Sequence, residues 1–133
     1  MRYAWIIFLG VWLTGGEGSP AAEAFISRIH FQKNSFEILE SERTLLNQNI
    51  EWLNQNPRAV LILEGHCDEW GEESYNLQLG DFRAREVKAF LIEAGIDAER
   101  MIMVVSYGES RPLDPRATRE AWAANRRVEF VLR

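Results

Sequence analysis

The chain has 133 residues, 47% of them apolar and 26% charged, which is about one domain of sequence with enough apolar material to bury a core. Fifteen Lys and Arg stand against 20 Asp and Glu, a net charge of −5, which argues against a general nucleic-acid binder and leaves no polybasic handle for anionic lipid. A single cysteine excludes an intrachain disulfide framework and a cysteine-rich zinc site.

Met1-Arg2-Tyr3 is a short positive start, and Ala4 to Leu13 is an unbroken apolar run of ten. A spanning helix needs roughly 20 apolar residues, so the run is too short to cross a bilayer. Small residues follow, with Ala22-Glu23-Ala24 as an A-x-A cleavage site and Ser19-Pro20-Ala21 as a second choice. The pattern predicts a secretory signal peptide over residues 1–24, with an uncleaved anchoring N-terminus as the alternative. Residues 25–133 are then the working domain, and the cleavage region has no cysteine to take a lipid.

Phe25 to Phe31 reads as a short strand, being rich in β-branched and aromatic residues. Ser41 can cap a helix that runs to about Asn56, where Pro57 ends it; Leu46, Ile50 and Leu53 form its apolar stripe. Ala59 to Leu63 is a continuous apolar run, expected as a central strand buried on both faces. Glu64 to Glu73 reads as a polar loop. Tyr75 to Ala94 reads as a second helix, with Leu79, Phe82, Val87, Phe90 and Leu91 at helical spacing and Gly95 as its C-terminal cap. Met101 to Tyr107 is another buried strand, Gly108 to Arg116 a loop, Thr118 to Ala124 a short helix, and Val128, Phe130 and Leu132 mark a last strand. The order β-α-β-α-β-(α)-β predicts an α+β two-layer sandwich, with helices packed on one mixed four-stranded sheet.

The polar loop reads Glu64-Gly65-His66-Cys67-Asp68-Glu69-Trp70-Gly71. Loops at the ends of buried strands that open toward a helix N-terminus commonly bind ligands. Asp68 lies in this loop and Arg83 fifteen residues on, near the start of the following helix, which can fold back so that the two meet. A carboxylate holds an ammonium, and a guanidinium holds a carboxylate through paired hydrogen bonds, so the two suit a zwitterionic amino-acid head group. The alternative is a structural ion pair that fixes the loop.

Five ordered segments carry a family resemblance. His30-Phe31-Gln32-Lys33-Asn34-Ser35, Gly65-His66-Cys67-Asp68, Tyr75 to Ala84 followed by Val87-Lys88, Ser106 to Pro112, and Asn125-Arg126-Arg127-Val128 together resemble the OmpA-like domains. Gly80 after Leu79 and the Ser-Tyr-Gly-Glu run are most similar to the branch of the peptidoglycan-associated lipoproteins. The resemblance implies a non-catalytic module that grips peptidoglycan in the periplasm, associated with the cell wall and the outer membrane. It implies that Asp68 and Arg83 hold the ammonium and carboxylate of the diaminopimelate residue of the stem peptide, and that Asn34, Asn76 and Arg126 line the ligand. It implies neither a cofactor nor a metal. A Tol-type protein-interaction adaptor is the second reading. No length is left in the chain for a transmembrane β-barrel.

Three features depart from the family pattern. Cys67 stands where threonine is usual, and Trp70 where arginine is frequent; Trp70 is either an aromatic rim that stacks on sugar or peptide or a loop anchor. The lipid-acceptor cysteine is missing. A thiol-dependent enzyme built on His66, Cys67 and Asp68 with His30 nearby is a remote reading, because neighbouring loop residues point in different directions. His30, His66 and Cys67 have no recognised metal-ligand spacing.

Overall fold

In a computed structural model, residues 26–133 are described, so the signal-peptide reading lies outside the described residues. Four strands form one sheet in the order β1-β4-β2-β3, where β1 is Ile29–His30, β2 is Leu61–His66, β3 is Met101–Gly108 and β4 is Arg127–Leu132. β2 runs parallel to β3 and antiparallel to β4, and β1 is antiparallel to β4. The sheet is therefore mixed, as expected from the element order. Helices α1 (Glu40–Gln55), α2 (Glu73–Glu93) and α3 (Arg119–Asn125) complete the expected succession, with an additional 3-10 turn at Ala98–Arg100.

β2 sits between two neighbours, as its apolar run predicted, but it is not covered on both faces. Leu61, Leu63 and Gly65 are buried while Ile62 and Glu64 between them are only half-buried. This alternation of period two marks a sheet with one face packed and the other partly open. Leu61 and Leu63 meet Leu46 and Leu53 of α1 and Val87 and Leu91 of α2 in one core. The strand also continues through Glu64, Gly65 and His66, which the sequence reading placed in a loop, because each pairs with β3 and the first two also with β4.

Gly65 explains how polar strand residues can sit so close to a helix. A Cβ there would lie 1.8 Å from the carbonyl oxygen of Gly80, and a Cβ on Gly80 would lie 2.2 Å from Ser106 Oγ. Two facing glycines let the α2 backbone rest directly on β2, and that contact carries Arg83, one turn further along, over the C-terminal end of the strand.

Other boundaries differ for identifiable reasons. α1 begins at Glu40 after an extended Leu39, with no side-chain cap, so Ser41 lies inside its first turn. Glu42, also in that turn, accepts the backbone N–H of His30 at 2.7 Å and ties the helix to β1. β1 is only two residues long because the chain before it turns to α1: the backbone N–H and carbonyl of Ser27 are both bonded by the buried side-chain amide of Asn49, each at 2.9 Å. β3 is an edge strand, not a buried one. Ile102 and Met103 are 53% and 54% exposed, and a bulge opposite Leu61/Ile62 leaves Ile102 without a partner in the register. Arg100, in the unpredicted turn, donates to the carbonyls of Leu53, Asn56 and Ala59 at 2.7–3.0 Å and so satisfies the C-terminal end of α1.

Phe82 falls at helical spacing with the α2 core residues yet is 46% exposed, packing on Phe36 with ring centroids 5.2 Å apart. Gly95 does close α2: its φ of +102° is the left-handed conformation that suits the residue after a helix. Thr118 caps α3 by accepting the N–H of Ala121 at 3.1 Å. Among the described residues no helix is long and apolar enough to cross a membrane.

Candidate ligand-binding site

The loop after β2, the N-terminal half of α2, the turn after β1 and the junction between α3 and β4 converge on a cleft of about 230 Å³. Asn34, Asp68, Asn76, Arg83 and Arg126 all line it, joined by Lys33, Cys67 and Trp70. The five residues singled out from the sequence, spread over 93 positions, therefore share one cavity.

Arg83 is fully buried, and its guanidinium is the joint of the site. Nε donates to the carbonyl of Ser35 at 2.7 Å, Nη2 to that of Gln32 at 2.9 Å, and Nη1 to that of His66 at 2.9 Å and to Cys67 Sγ at 3.6 Å. Four of its five N–H groups are thus committed to protein acceptors, leaving one. The two carbonyls at Gln32 and Ser35 bracket a tight turn closed by Ser35 N–H on the Gln32 carbonyl at 3.2 Å. At its tip Asn34 takes φ +57°, a left-handed conformation that asparagine tolerates better than most residues. Arg83 thereby fixes the turn that presents Asn34, and Tyr75 holds the asparagine by donating to its Oδ1 at 3.3 Å.

Asp68 and Arg83 do not form the expected contact. Among the described residues the ion pair of Asp68 is with Arg126, Nη1 to Oδ2 at 3.2 Å, while Oδ1 accepts the backbone N–H of Trp70 at 3.1 Å. The structural-ion-pair alternative for Asp68 and Arg83 is accordingly replaced by a different pair. The physical reason is the burial of Arg83, whose donors are consumed by three carbonyls from two chain segments, the Gln32–Ser35 turn and the end of β2. Arg126 spends only Nε, on the carbonyl of Phe31 at 2.8 Å, and one Nη1 proton on Asp68. Three of its N–H groups remain for a ligand.

Asn76 is buried and anchors the loop: its Nδ2 donates to the carbonyl of Trp70 at 2.9 Å and to Glu109 Oε1 at 2.6 Å. Glu109 was not singled out from the sequence for any role. It lies in the Ser-Tyr-Gly-Glu run, whose presence in the family pattern was the available signal.

Cys67 and His66 point apart. The thiol is buried between α2 and the loop, donates to the carbonyl of Asn76 at 3.2 Å, and is pushed up to about 11 by that burial. It is thus a neutral donor at neutral pH. His66 faces the other side of the sheet, stacked on Tyr107 at 5.6 Å, with Nε2 3.4 Å from Glu64 and Nδ1 without a partner. Burial holds its pKa down near 4, with Arg127 adding to the effect, so the ring is neutral. The two side chains form no nucleophile–base pair, and His30, His66 and Cys67 form no metal-holding group among the described residues.

Residues 30–126 match the OmpA family. The chain belongs to the OmpA family. Within it, the chain is 37% identical over 105 residues to a protein named peptidoglycan-associated lipoprotein from Mesorhizobium japonicum, an alignment that covers 79% of this chain and 62% of that protein. The chain thus spans less than two thirds of the length of that relative. The crystal structure of the peptidoglycan-associated lipoprotein from Burkholderia pseudomallei superposes with a TM-score of 0.75 at 30% identity, covering 80% of this chain and 89% of that one. The C-terminal domain of Helicobacter pylori MotB shares the OmpA-like fold, with a TM-score of 0.72 at 22% identity over 81% of this chain and 84% of that one.

Proposed function

We propose that the chain binds peptidoglycan without reacting on it, and that its cleft takes the zwitterionic end of the diaminopimelate residue in the stem peptide. The observation that carries this reading is a buried carboxylate, Asp68, set beside two guanidiniums, Arg83 and Arg126, in a cleft open to solvent. Asp68 receives the ammonium through lone pairs not used by Trp70 and Arg126. The ligand carboxylate lies against the one free N–H of Arg83 and the three of Arg126, with Lys33 adding positive charge at the mouth. Asn34 offers its amide N–H groups along the wall, and Asn76, whose N–H groups are spent on Trp70 and Glu109, offers only Oδ1. Relatives named for their association with peptidoglycan support the polymer class.

In this reading residues 1–24 direct export, and the domain works in the periplasm against the cell wall. A site this small binds one stem peptide modestly, and the many identical stems of one wall supply retention by rebinding. Co-sedimentation with purified sacculi that carry diaminopimelate tests the proposal. The double variant Asp68→Ala/Arg126→Ala is expected to lose retention by about tenfold or more, since each deleted charge-assisted hydrogen bond contributes on the order of 1.5–3 kcal/mol. Retention equal to that of the unmodified chain would overturn the pocket.

A further inference from the structure

Trp70 is 51% exposed at the rim of the cleft, and nothing in core packing requires an aromatic ring there. It is nonetheless held firmly. Its N–H donates to Asp68 Oδ1 at 3.1 Å and its carbonyl accepts from Asn76 at 2.9 Å. Its ring meets Trp122 of α3 edge-on, with centroids 5.3 Å apart and planes at 76°. Trp122 is fixed in turn, its indole N–H donating to Glu69 Oε2 at 2.8 Å.

Beside Trp122 lies a second cleft of about 240 Å³, lined by Trp122, Glu69, Glu109 and Cys67 on one side and by the Asp114–Arg116 ion pair on the other. Cys67 also lines the first cleft, so the two lie on either side of the loop that carries Asp68 and Trp70. Glu69 and Glu109 each have one carboxylate oxygen engaged by the protein, by Trp122 and Asn76 respectively, which leaves the other to accept.

We infer that Trp70, Trp122 and the carboxylates beside them form a carbohydrate subsite that packs on a sugar ring of the glycan strand while the stem peptide occupies the first cleft. A pyranose presents C–H bonds on its faces and hydroxyl or amide donors around its edge. A rigid exposed indole complements the face, and unspent carboxylate oxygens complement the edge. Lys33, whose ammonium stands 5.5 Å from the Trp70 ring centroid, is an exposed flexible side chain that a ligand can displace. Because Trp70 and Trp122 are already ordered, little side-chain entropy is lost when the sugar docks.

The inference rests on the peptide-pocket reading, and one titration separates the two. The chain is titrated with a diaminopimelate tetrapeptide and with the same tetrapeptide attached to its amino-sugar disaccharide. The disaccharide form is expected to bind roughly five- to tenfold more tightly, the scale of one aromatic packing contact. Within the Trp70→Ala variant the ratio of the two affinities is expected to fall to about one, whatever the change in tetrapeptide affinity itself, and Trp70→Phe is expected to retain part of the advantage. Equal affinity of the two ligands for the unmodified chain overturns the sugar subsite alone, as does a Trp70→Ala variant that keeps the full advantage. Failure to bind either ligand overturns the peptide pocket and the subsite together.

Discussion

Arg83 and Arg126 are both guanidiniums in one cleft, yet their donor counts separate their roles. Arg83 satisfies three backbone carbonyls from the buried floor of the cleft, and removing it leaves Gln32, Ser35 and His66 without their partner. Arg83→Met is expected to cost about 3 kcal/mol or more of folding stability by denaturant unfolding, since each buried acceptor left unpaired costs roughly 1–3 kcal/mol. Arg83→Lys is expected to rescue little, because an ammonium cannot reach three divergent carbonyls as a planar fork does. Arg126, with fewer bonds to protein, is expected to lose about 1 kcal/mol of stability as Arg126→Ala while weakening peptide binding more.

Cys67 makes a second residue-scale case. Its thiol is buried, neutral and bonded to the Asn76 carbonyl, so modification by a small thiol reagent is expected to be about 100-fold slower in the folded chain than in denaturant. Equal rates would restore the thiol-enzyme reading. Cys67→Thr is expected to change stability by less than about 1.5 kcal/mol, since a hydroxyl of similar size can make the same bond to Asn76.

The elements were legible in the sequence to the extent that one-dimensional patterns report them. α1, α2, α3 and the central strand follow in kind and succession from apolar spacing and breakers, although Ser41 does not cap α1 and the central strand begins at Leu61. What could not be read was decided by partners distant in sequence. β2 runs on through Glu64, Gly65 and His66 because β3 and β4 supply hydrogen bonds to those polar residues, and because Gly80 makes room for Gly65. β1 is cut short because Ser27, just before it, is held by Asn49, twenty-two residues further on. Phe82 is exposed although its spacing fits the core stripe, since a period of 3.6 residues fixes an angle on the helix and not what stands opposite. Gly65→Ala tests the close approach. Its methyl would overlap the Gly80 carbonyl, a backbone atom that cannot swing aside, and a loss of about 3 kcal/mol is expected in denaturant unfolding. A loss below about 0.5 kcal/mol would mean that α2 does not rest on β2 in this way.

At the scale of the whole molecule, the two sides of the sheet have different chemistry. The cleft is built at one end, whereas His66 is buried on the far face beside Glu64 and Tyr107, in the field of Arg127 of β4 and Arg111 of the loop after β3. The unfolded chain binds the His66 proton with the ordinary pKa near 6.5, and the folded chain only near 4. Protons are therefore taken up on unfolding, and stability is lost as pH falls from about 6.5 toward 4, by up to about 3 kcal/mol from this group. Unfolding free energies of the unmodified chain and His66→Gln, compared across that window, are expected to shift relative to each other by up to about 3 kcal/mol in favour of the variant as pH falls. Parallel curves would show that His66 titrates normally.

The site was legible only in part for a related reason. Sequence motifs identified the residues that meet in the cleft, because all five line it. They did not identify which of those residues contact one another. Asp68 pairs with Arg126, fifty-eight positions away, and not with Arg83, because Arg83 is engaged by carbonyls that carry no signal in the identity of their residues. Trp70 and Trp122 likewise meet across fifty-two positions.

The most direct measurement is calorimetric titration of the chain with two tetrapeptides that differ only in whether the third residue is diaminopimelate or lysine. Both present an ammonium to Asp68, but only the first also presents a carboxylate to Arg83 and Arg126. Binding of the diaminopimelate peptide, with a loss of about tenfold or more for the lysine peptide, is the expected result. Equal affinity for the two would contradict recognition of a zwitterion by these three side chains.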